Sequence, residues 1–435
     1  MLSWHKIFVV KNLLNRLTGK SEFAKNTVTL TLGTSIAQFF PLIFYPVLGR
    51  IFTPEEFGLL ATLTSITGIL AVLATGKYDQ GILITDSKKE AANLVGLTLL
   101  LSLVVLTVSF IVLQLFSNQL AGWFNEPLLK KWLWVPPLNA FVIIVFNCFN
   151  EWCVRHKYFT TLSWNKITNA AAHTLGKVFF GFVKVTGNGL IAGDLLGRAY
   201  SAGACVYRAW GKDKDVFSRV SIKQFKVLSK KYIDFPKYIL PDQLINKIGI
   251  FIPVLFIGVW FNSTEVGYYS MTMQILSLPI SVISRAIYDV FRQRANEDYV
   301  NHGNCISIYK RLLVRLTFVG TIATLAVIAV LPWIFAFVLG QQWEIAGQYS
   351  QVLLPMMTLN FIAMSLSGVF IVVRKMKISM YWQMYYTAIT IFSLMIGFFI
   401  FKTMMATLLC FAIGRSSAYL LYIFLSYKYS KGKIK

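Results

Sequence analysis

The sequence predicts an all-α polytopic membrane protein, with about twelve transmembrane helices in two six-helix lobes related by a parallel pseudo-two-fold. Three observations carry that prediction. Hydrophobic residues fill 56% of the 435 positions, charged residues only 14%, and mean hydropathy is +0.61. A soluble domain spends roughly a quarter of its residues on charge. The apolar residues come in blocks of about 20, enough to cross a bilayer as a helix, along almost the whole chain. The basic residues lie between those blocks and alternate in density from one connection to the next.

The blocks place spans near 27–49, 57–75, 92–116, 132–152, 165–185, 188–209, 238–260, 266–290, 311–338, 347–373, 379–401 and 404–427. The fifth is the least apolar, carrying Asn169, His173 and Lys177, and the sixth contains Asp194 and Arg198. The connections fall into two sets. One holds Lys6 to Lys25, Lys77, Lys88, Lys89, Arg155, Lys157, the stretch from Arg208 to Lys237, Arg292, Arg294, Arg374, Lys375, Lys377 and Lys428 to Lys435. The other holds only Arg50, Lys130, Lys131, Lys184 and Lys402. Lysine and arginine near helix ends mark the cytoplasmic side, which puts both termini and the central connection there. Omitting the fifth span would reverse every later loop and destroy the sorting. The same placement explains the net charge of +24 as topology, without a nucleic-acid partner.

The domain plan is then a basic segment (1–25), an N-lobe (26–209), a basic connector (210–237), a C-lobe (238–427) and a basic tail (428–435). Residues 4–17 set Trp4, Phe8, Leu13, Leu14 and Leu17 against Lys6, Lys11, Asn15 and Arg16. That segment is a basic amphipathic helix on the inner membrane surface or a cytosolic tail; it has no signal-peptide cleavage pattern. The connector, with Lys212, Lys214, Arg219, Lys223, Lys226, Lys230 and Lys231, reads as an amphipathic element pressed on anionic lipid at the cytoplasmic face. Its Asp213-Lys-Asp215 string matches a loose sugar-nucleotide pattern, but two acids in a lysine run read as solvated charge. The five cysteines show no paired spacing and read as small buried residues. No P-loop, zinc-helix or nucleophile-elbow pattern is present, so no catalytic residue, metal or cofactor is assigned.

An internal repeat joins the halves. GRIFTPEEFGLL after the first span aligns with GVWFNSTEVGYY after the seventh, matching Gly49 with Gly258, Phe52 with Phe261, Glu56 with Glu265 and Gly58 with Gly267 at one offset. Tyr78-Asp79 aligns with Tyr288-Asp289 after a one-residue slip. Both halves start on the same side and span an even number of times, as parallel repeats do.

Ionisable residues inside spans are costly and face a cavity or a partner. Asn165, Asn169, His173 and Lys177 recur every fourth residue as one polar stripe, Thr27, Thr31, Thr34 and Gln38 form a milder one, and Asp242, Gln243, Asn246 and Lys247 another. At 1.5 Å per residue, Lys177, Arg198, Lys247 and Arg415 fall about 13–18 Å from a span end, near mid-membrane. Asp194 precedes Arg198 by four residues and can neutralise it; Arg285 and Asp289 form a second pair nearer the cytoplasm. Lys177, Lys247 and Arg415 need an anion, water or an acid from a neighbouring helix. The substrate-binding candidates are therefore Lys177, Arg198, Lys247, Arg285 and Arg415, lined by Asn165, Asn169, His173, Gln38 and Asn246, with Asp194 and Asp242 as ion-coupling candidates. Such a cationic cavity suits a phosphate-bearing ligand, while the plainer alternative is salt bridging between helices.

The string PVLGRIFTPEEFGLLATLTSITGILAVLATGKYDQGILI, with Phe57-Gly58 opening the second span and Tyr78-Asp79 closing it, resembles the N-terminal signature of the bacterial polysaccharide (O-antigen, Wzx-type) flippase family. EVGYYSMTMQILSLPISVIS resembles its C-terminal counterpart. The family belongs to the multidrug/oligosaccharidyl-lipid/polysaccharide exporter superfamily. The resemblance implies two six-helix lobes around a cationic cavity, and a flippase that moves polyprenyl-pyrophosphate-linked oligosaccharide to the outer leaflet of a bacterial inner membrane. It also implies an ion gradient as the drive and polysaccharide polymerase machinery as a partner. A peptidoglycan-precursor flippase and a drug or cation antiporter of the same superfamily are the alternatives. A membrane polymerase would need a sizeable outer loop, and the longest, roughly 117–131, is short.

Overall fold

The computed structural model describes residues 22–183 and 188–432. The expectations for residues 1–21, for Lys184 and for 433–435 lie outside the described residues, as do the Thr27 and Thr31 side chains. Every described element is helical. The longer helices, in chain order, are α1 (Glu22–Ile51), α2 (Pro54–Thr75), α3 (Lys88–Leu115), α4 (Val135–Arg155), α5 (Phe159–Phe182), α6 (Gly189–Phe217) and α7 (Ile222–Lys231). They continue as α8 (Leu240–Trp260), α9 (Ser263–His302), α10 (Ile306–Ile328), α11 (Leu331–Leu339), α12 (Glu344–Ser365), α13 (Met376–Ile396) and α14 (Met404–Ser430).

Twelve helical paths therefore follow the twelve expected spans, with three differences of detail, one being that the tenth leaves its long helix at Ser365 and resumes as a single turn at Val369–Val372. The ninth span is α10 and α11, broken at Val330 just ahead of Pro332, because proline cannot continue a hydrogen-bonded helix from the preceding turn. The eighth overshoots its expected end, since α9 runs 40 residues, roughly 60 Å and about twice the hydrocarbon thickness. Among the described residues nine helices are long and apolar enough to cross a membrane by length and composition. α1, α5 and α6 are not among them, and for α5 and α6 the polar residues already noted are the reason. On α3 the exposed Leu100, Leu103, Val104, Val108 and Ile111, and on α10 the exposed Val314, Phe318, Ile322 and Leu325, follow three- and four-residue steps. Such unbroken apolar faces suit lipid and not water. The protein is a multi-span helical membrane protein.

The chain divides into two compact units, and their boundaries cut across the sequence halves. One unit comprises 1–44, 70–112 and 134–241; the other comprises 45–69, 113–133 and 242–435. The core of the first gathers Ile82, Leu94, Ile144, Trp152, Leu162 and Cys205. The connector belongs to this core. Leu228 of α7 and the following Tyr232 are buried in it, and Phe225 is buried near Gly96 of α3, while Lys223, Lys226 and Lys230 stay exposed. Ser221 N donates to Asn93 Oδ1 at 2.8 Å, and Tyr78 Oη donates to the Ser229 carbonyl at 3.0 Å. Lys231 bonds Asp86 at 2.7 Å and Glu90 at 2.6 Å. The hydrogen bond from Lys231 holds the Asp86 carboxyl below the usual carboxylate range, and Asp86 and then Glu90 raise Lys231. Thus Phe225, Leu228 and Tyr232 are committed to protein, and the open side of the connector carries its lysines together with Ile222 and Val227.

Asp213 also departs from expectation. It is buried, not solvated, and accepts hydrogen bonds from Trp152 Nε1 at 3.0 Å and Tyr158 Oη at 3.1 Å, with Lys88 Nζ 3.7 Å away. The backbone of α6 kinks there, at φ −134° and ψ 31°. A carboxylate spent on two donors and a lysine of its own unit is structural. Asp215 remains exposed.

In the second unit the repeat acquires a physical meaning. Thr53 and Glu56 form a reciprocal capping box: Thr53 N donates to Glu56 Oε2 at 2.9 Å, and Glu56 N donates to Thr53 Oγ1 at 3.3 Å, with Pro54 as the first residue of α2. The offset that aligns the halves carries Thr53 onto Asn262, which caps α9 by accepting from Glu265 N at 2.9 Å. Each half thus opens its second long helix with the same kind of cap. A Cβ on Gly58 would collide with the Ser263 carbonyl, and one on Gly267 with the Pro54 carbonyl. The offset carries Pro54 onto Ser263, so the two contacts are images of each other, and α2 crosses α9 on glycine at both sides.

The same seam is bonded at its edge. Gly49 O, in the last turn of α1, accepts from Gln342 Nε2 at 2.6 Å and Trp343 Nε1 at 2.8 Å. Arg50 donates to the Phe337 carbonyl at 3.0 Å, and Tyr45 Oη donates to Gln274 Oε1 at 2.6 Å. Trp343 is fully buried and meets the Phe57 ring edge-on at 5.2 Å. These links tie the sparsely charged connections of the two sequence halves together inside one unit.

Candidate functional site

In lipid, helices associate through close packing of small residues, because apolar burial gives no net drive there. α5 and α6 show this. A Cβ on Gly176 would lie 2.6 Å from the Gly193 carbonyl oxygen, one on Gly193 would collide with Lys177 N, and one on Gly197 with His173 Cα. The backbones approach closely enough for Lys177 to reach across the crossing. Its Nζ lies 2.8 Å from Asp194 Oδ1, while Arg198 Nε donates to Asp194 Oδ2 at 2.7 Å. Asn139 Nδ2 of α4 adds a third donor at 3.2 Å. The neighbouring helix therefore supplies the acid that Lys177 required, and Asp194 serves two cations instead of neutralising Arg198 alone. The Asp194 side chain is 2% exposed, against 15% for Lys177 and 24% for Arg198.

The rest of the α5 stripe is partly satisfied within the same unit. Asn165 is buried; its Nδ2 donates to Cys205 Sγ at 3.1 Å and its Oδ1 accepts from Arg208 at 2.9 Å. Arg208 also reaches Thr168 at 3.1 Å, and Lys166 Nζ bonds Thr34 Oγ1 at 2.8 Å. Asn169 Oδ1 accepts weakly from Ser201 at 3.4 Å. His173 Nδ1 is buried without a hydrogen-bond partner. Gln38 is half-buried on α1.

The second unit holds Arg415, only 4% exposed. Its Nη2 donates to the Gly249 carbonyl at 2.7 Å and its Nε to Thr390 Oγ1 at 3.1 Å. Pro253 lies four residues after Gly249 inside α8 and has no N–H to offer that carbonyl. The guanidinium takes the acceptor that proline leaves open, a signal legible in the sequence as Gly249-x-x-x-Pro253. The Arg415 guanidinium carbon lies 4.5 Å from the centroid of the Phe411 ring and 4.8 Å from that of Tyr386. Among the described residues no carboxylate lies within 4.0 Å of it. A buried cation held by neutral dipoles and ring faces keeps its full charge.

The remaining candidates are more open. Lys247 is half-buried on α8, its Nζ 5.7 Å from the Phe251 ring, and Asn246 beside it is half-buried. Asp242 is exposed near the start of α8, which continues without a break from the helical turn Phe235–Ile239. Arg285 pairs with Asp289 at 3.5 Å on an exposed face of α9. Among the described residues no group of three histidine, cysteine or acidic side chains is arranged to hold a metal. The hidden roles of Asn139, Asp213, Thr390 and Gly249 depend on partners from other helices, which composition along one helix does not reveal.

No curated protein matches the chain in sequence. In fold it is similar to the lipid II flippase MurJ in an inward closed conformation, with TM-score 0.73 and 14% identity over 91% of this chain and 87% of that one. It is similar to an inward-facing multidrug resistance MATE family transporter of the MOP superfamily, with TM-score 0.69 and 14% identity over 91% and 96%. A third likeness is to a MOP superfamily transporter from Pyrococcus furiosus described as having a binding pocket of reverse polarity, with TM-score 0.60 and 14% identity over 95% and 96%. The match in sequence is to a family: the model of the polysaccharide biosynthesis protein family covers residues 47–347, most of the chain, and the protein belongs to that family.

Proposed function

We propose that the chain is a flippase that carries a polyprenyl-pyrophosphate-linked oligosaccharide from the cytoplasmic to the outer leaflet of a bacterial inner membrane, driven by an ion gradient, with both termini cytoplasmic. Arg415 carries this reading. A buried guanidinium balanced by the Gly249 carbonyl, Thr390 and two aromatic rings adds positive charge where burial makes charge costly. An anionic cargo accounts for it, and a cationic drug does not. Lys177, Arg198, Lys247 and Arg285 are the further cations assigned to the cargo, with Asn165, Asn169, His173, Gln38 and Asn246 lining its path and Asp194 and Asp242 as coupling acids. The exposed lysines of α7 face anionic lipid, and the polymerase machinery that receives the glycan is a partner.

The seam at Gly58 and Gly267 lies at sparsely charged connections, so this reading places it at the outer end of the second unit. The experiment is gene deletion followed by leaflet-resolved analysis of lipid-linked oligosaccharide. Accumulation on the cytoplasmic leaflet is expected, and its absence would refute the assignment. A peptidoglycan-precursor flippase has the same charge requirement; accumulation of lipid II in place of an oligosaccharide lipid would select that reading.

A further inference from the structure

One carboxylate stands between two cations on α5 and α6, and the three differ in exposure in a consistent order. Asp194 lies deepest, with Lys177 and Arg198 progressively more open. Each cation takes a different carboxylate oxygen, and the Arg198 hydrogen bond comes from Nε alone, not from the paired fork an arginine offers a fixed partner. A buried triad of this kind is weak as a source of stability, since apolar residues of similar volume serve as well or better. We infer that Asp194 is an internal stand-in for the cargo phosphate: it occupies Lys177 and Arg198 while the transporter is empty and yields them to the pyrophosphate of the arriving lipid. This rests on the function proposed above.

The exchange balances in charge and atoms. A pyrophosphate diester carries two ionised oxygens, which match the two cations. The displaced carboxylate, left in burial without a cation, takes one proton from water: its O–H bond forms as the ion pairs to Lys177 and Arg198 break, and the proton is returned when the cargo leaves. The groups facing Asp194 are Lys177 and His173 from α5, Arg198 on its own helix and Asn139 from α4. Asn139 can turn from carboxylate donor to partner of the protonated acid. His173, with Nδ1 unpartnered and its ring within electrostatic reach of Asp194, Lys177 and Arg198, stands beside the route for that proton. Substrate binding and proton binding thereby become one event, so each raises the affinity for the other.

The test is calorimetric titration of the purified full-length protein with a short-chain analogue, farnesyl pyrophosphoryl glucose, whose two acidic oxygens stay ionised through the neutral range. Titrations in two buffers of different ionisation enthalpy report protons taken up. The wild type is expected to take up about one proton per ligand bound. Asp194→Asn is expected to bind about tenfold more tightly with no uptake, because the internal competitor is gone, and Lys177→Gln to bind more weakly. Binding by the wild type without proton uptake overturns the exchange and leaves the cargo assignment standing. No binding by the wild type overturns the cargo assignment and the exchange with it. If Asp194→Asn fails to fold, the wild-type proton count alone decides.

Discussion

The Gly49 carbonyl offers a stringent test of how the seam in the second unit is held. It lies among the last four carbonyls of α1, which have no donor inside the helix, and two side chains of one connection serve it. Trp343→Phe removes one donor and keeps the apolar contact with Phe57, while Gln342 remains, so the loss is about 0.5–1.5 kcal/mol. Gln342→Ala removes the other donor and a 3.2 Å bond to the Phe52 carbonyl, while Trp343 remains, for a similar loss. The double variant leaves a buried carbonyl with nothing to accept from, which adds about 1–3 kcal/mol beyond the two single losses. The cycle should therefore show a coupling energy of at least about 1 kcal/mol in the destabilising direction. Denaturant titration of the protein in mixed micelles, followed by tryptophan fluorescence and size exclusion, measures it. Additive single effects would refute the two-donor account and leave Trp343 as packing only.

Three further outcomes are expected. Gly58→Ala and Gly267→Ala should each lower the melting temperature, by overpacking worth about 1–3 kcal/mol, and the double variant should lose much less than their sum, because helices parted for one Cβ have made room for the other; additive melting shifts would contradict the mirrored contact. Arg415→Met should reach the membrane at near-normal level, since the lost charge offsets the Gly249 carbonyl left open, yet fail in glycan export, with Arg415→Lys intermediate; export by Arg415→Met at wild-type level would remove Arg415 from the mechanism. The clamp of Lys231 on Asp86 and Glu90 has a depressed Asp86, so its contribution is present above the ordinary aspartate range and is lost as pH falls through the lowered value; the raised Lys231 loses its contribution only as pH rises through its elevated value. Hydrogen exchange of residues 222–231, corrected for intrinsic rates, should stay flat around neutrality and rise below the normal carboxylate range, and Asp86→Asn should flatten that rise.

The helices were legible because a bilayer demands long apolar runs, and charge sorting kept α5 despite its polar stripe. The cap chemistry was legible in outline, since Glu56 and Glu265 recur at one offset, but the box they close emerges only with backbone geometry. Individual partners were not legible. Lys177 looked unpaired because its acid comes from α6 across a glycine crossing, and periodicity along α5 carries no information about that neighbour. Asp213 looked solvated because its sequence neighbours are lysines, whereas its donors, Trp152 and Tyr158, lie far away in the chain. The same blindness hid the inward side of the connector, where Leu228 and Tyr232 among many lysines proved to belong to the core.

The mirrored glycine contact has a consequence for how this sequence can change. An interface in which one residue meets the image of its own neighbour is isologous, the arrangement of a two-fold homodimer folded into a single chain. In a true homodimer one substitution alters both sides at once. After duplication each side mutates alone, and a larger residue on one side is ordinarily relieved by a smaller one opposite. Here both positions are already glycine, opposed to backbone carbonyls of Ser263 and Pro54. No smaller side chain exists to grant relief, so a suppressor of Gly58→Ala must arise from backbone movement elsewhere in α2 or α9 and not from its symmetry mate.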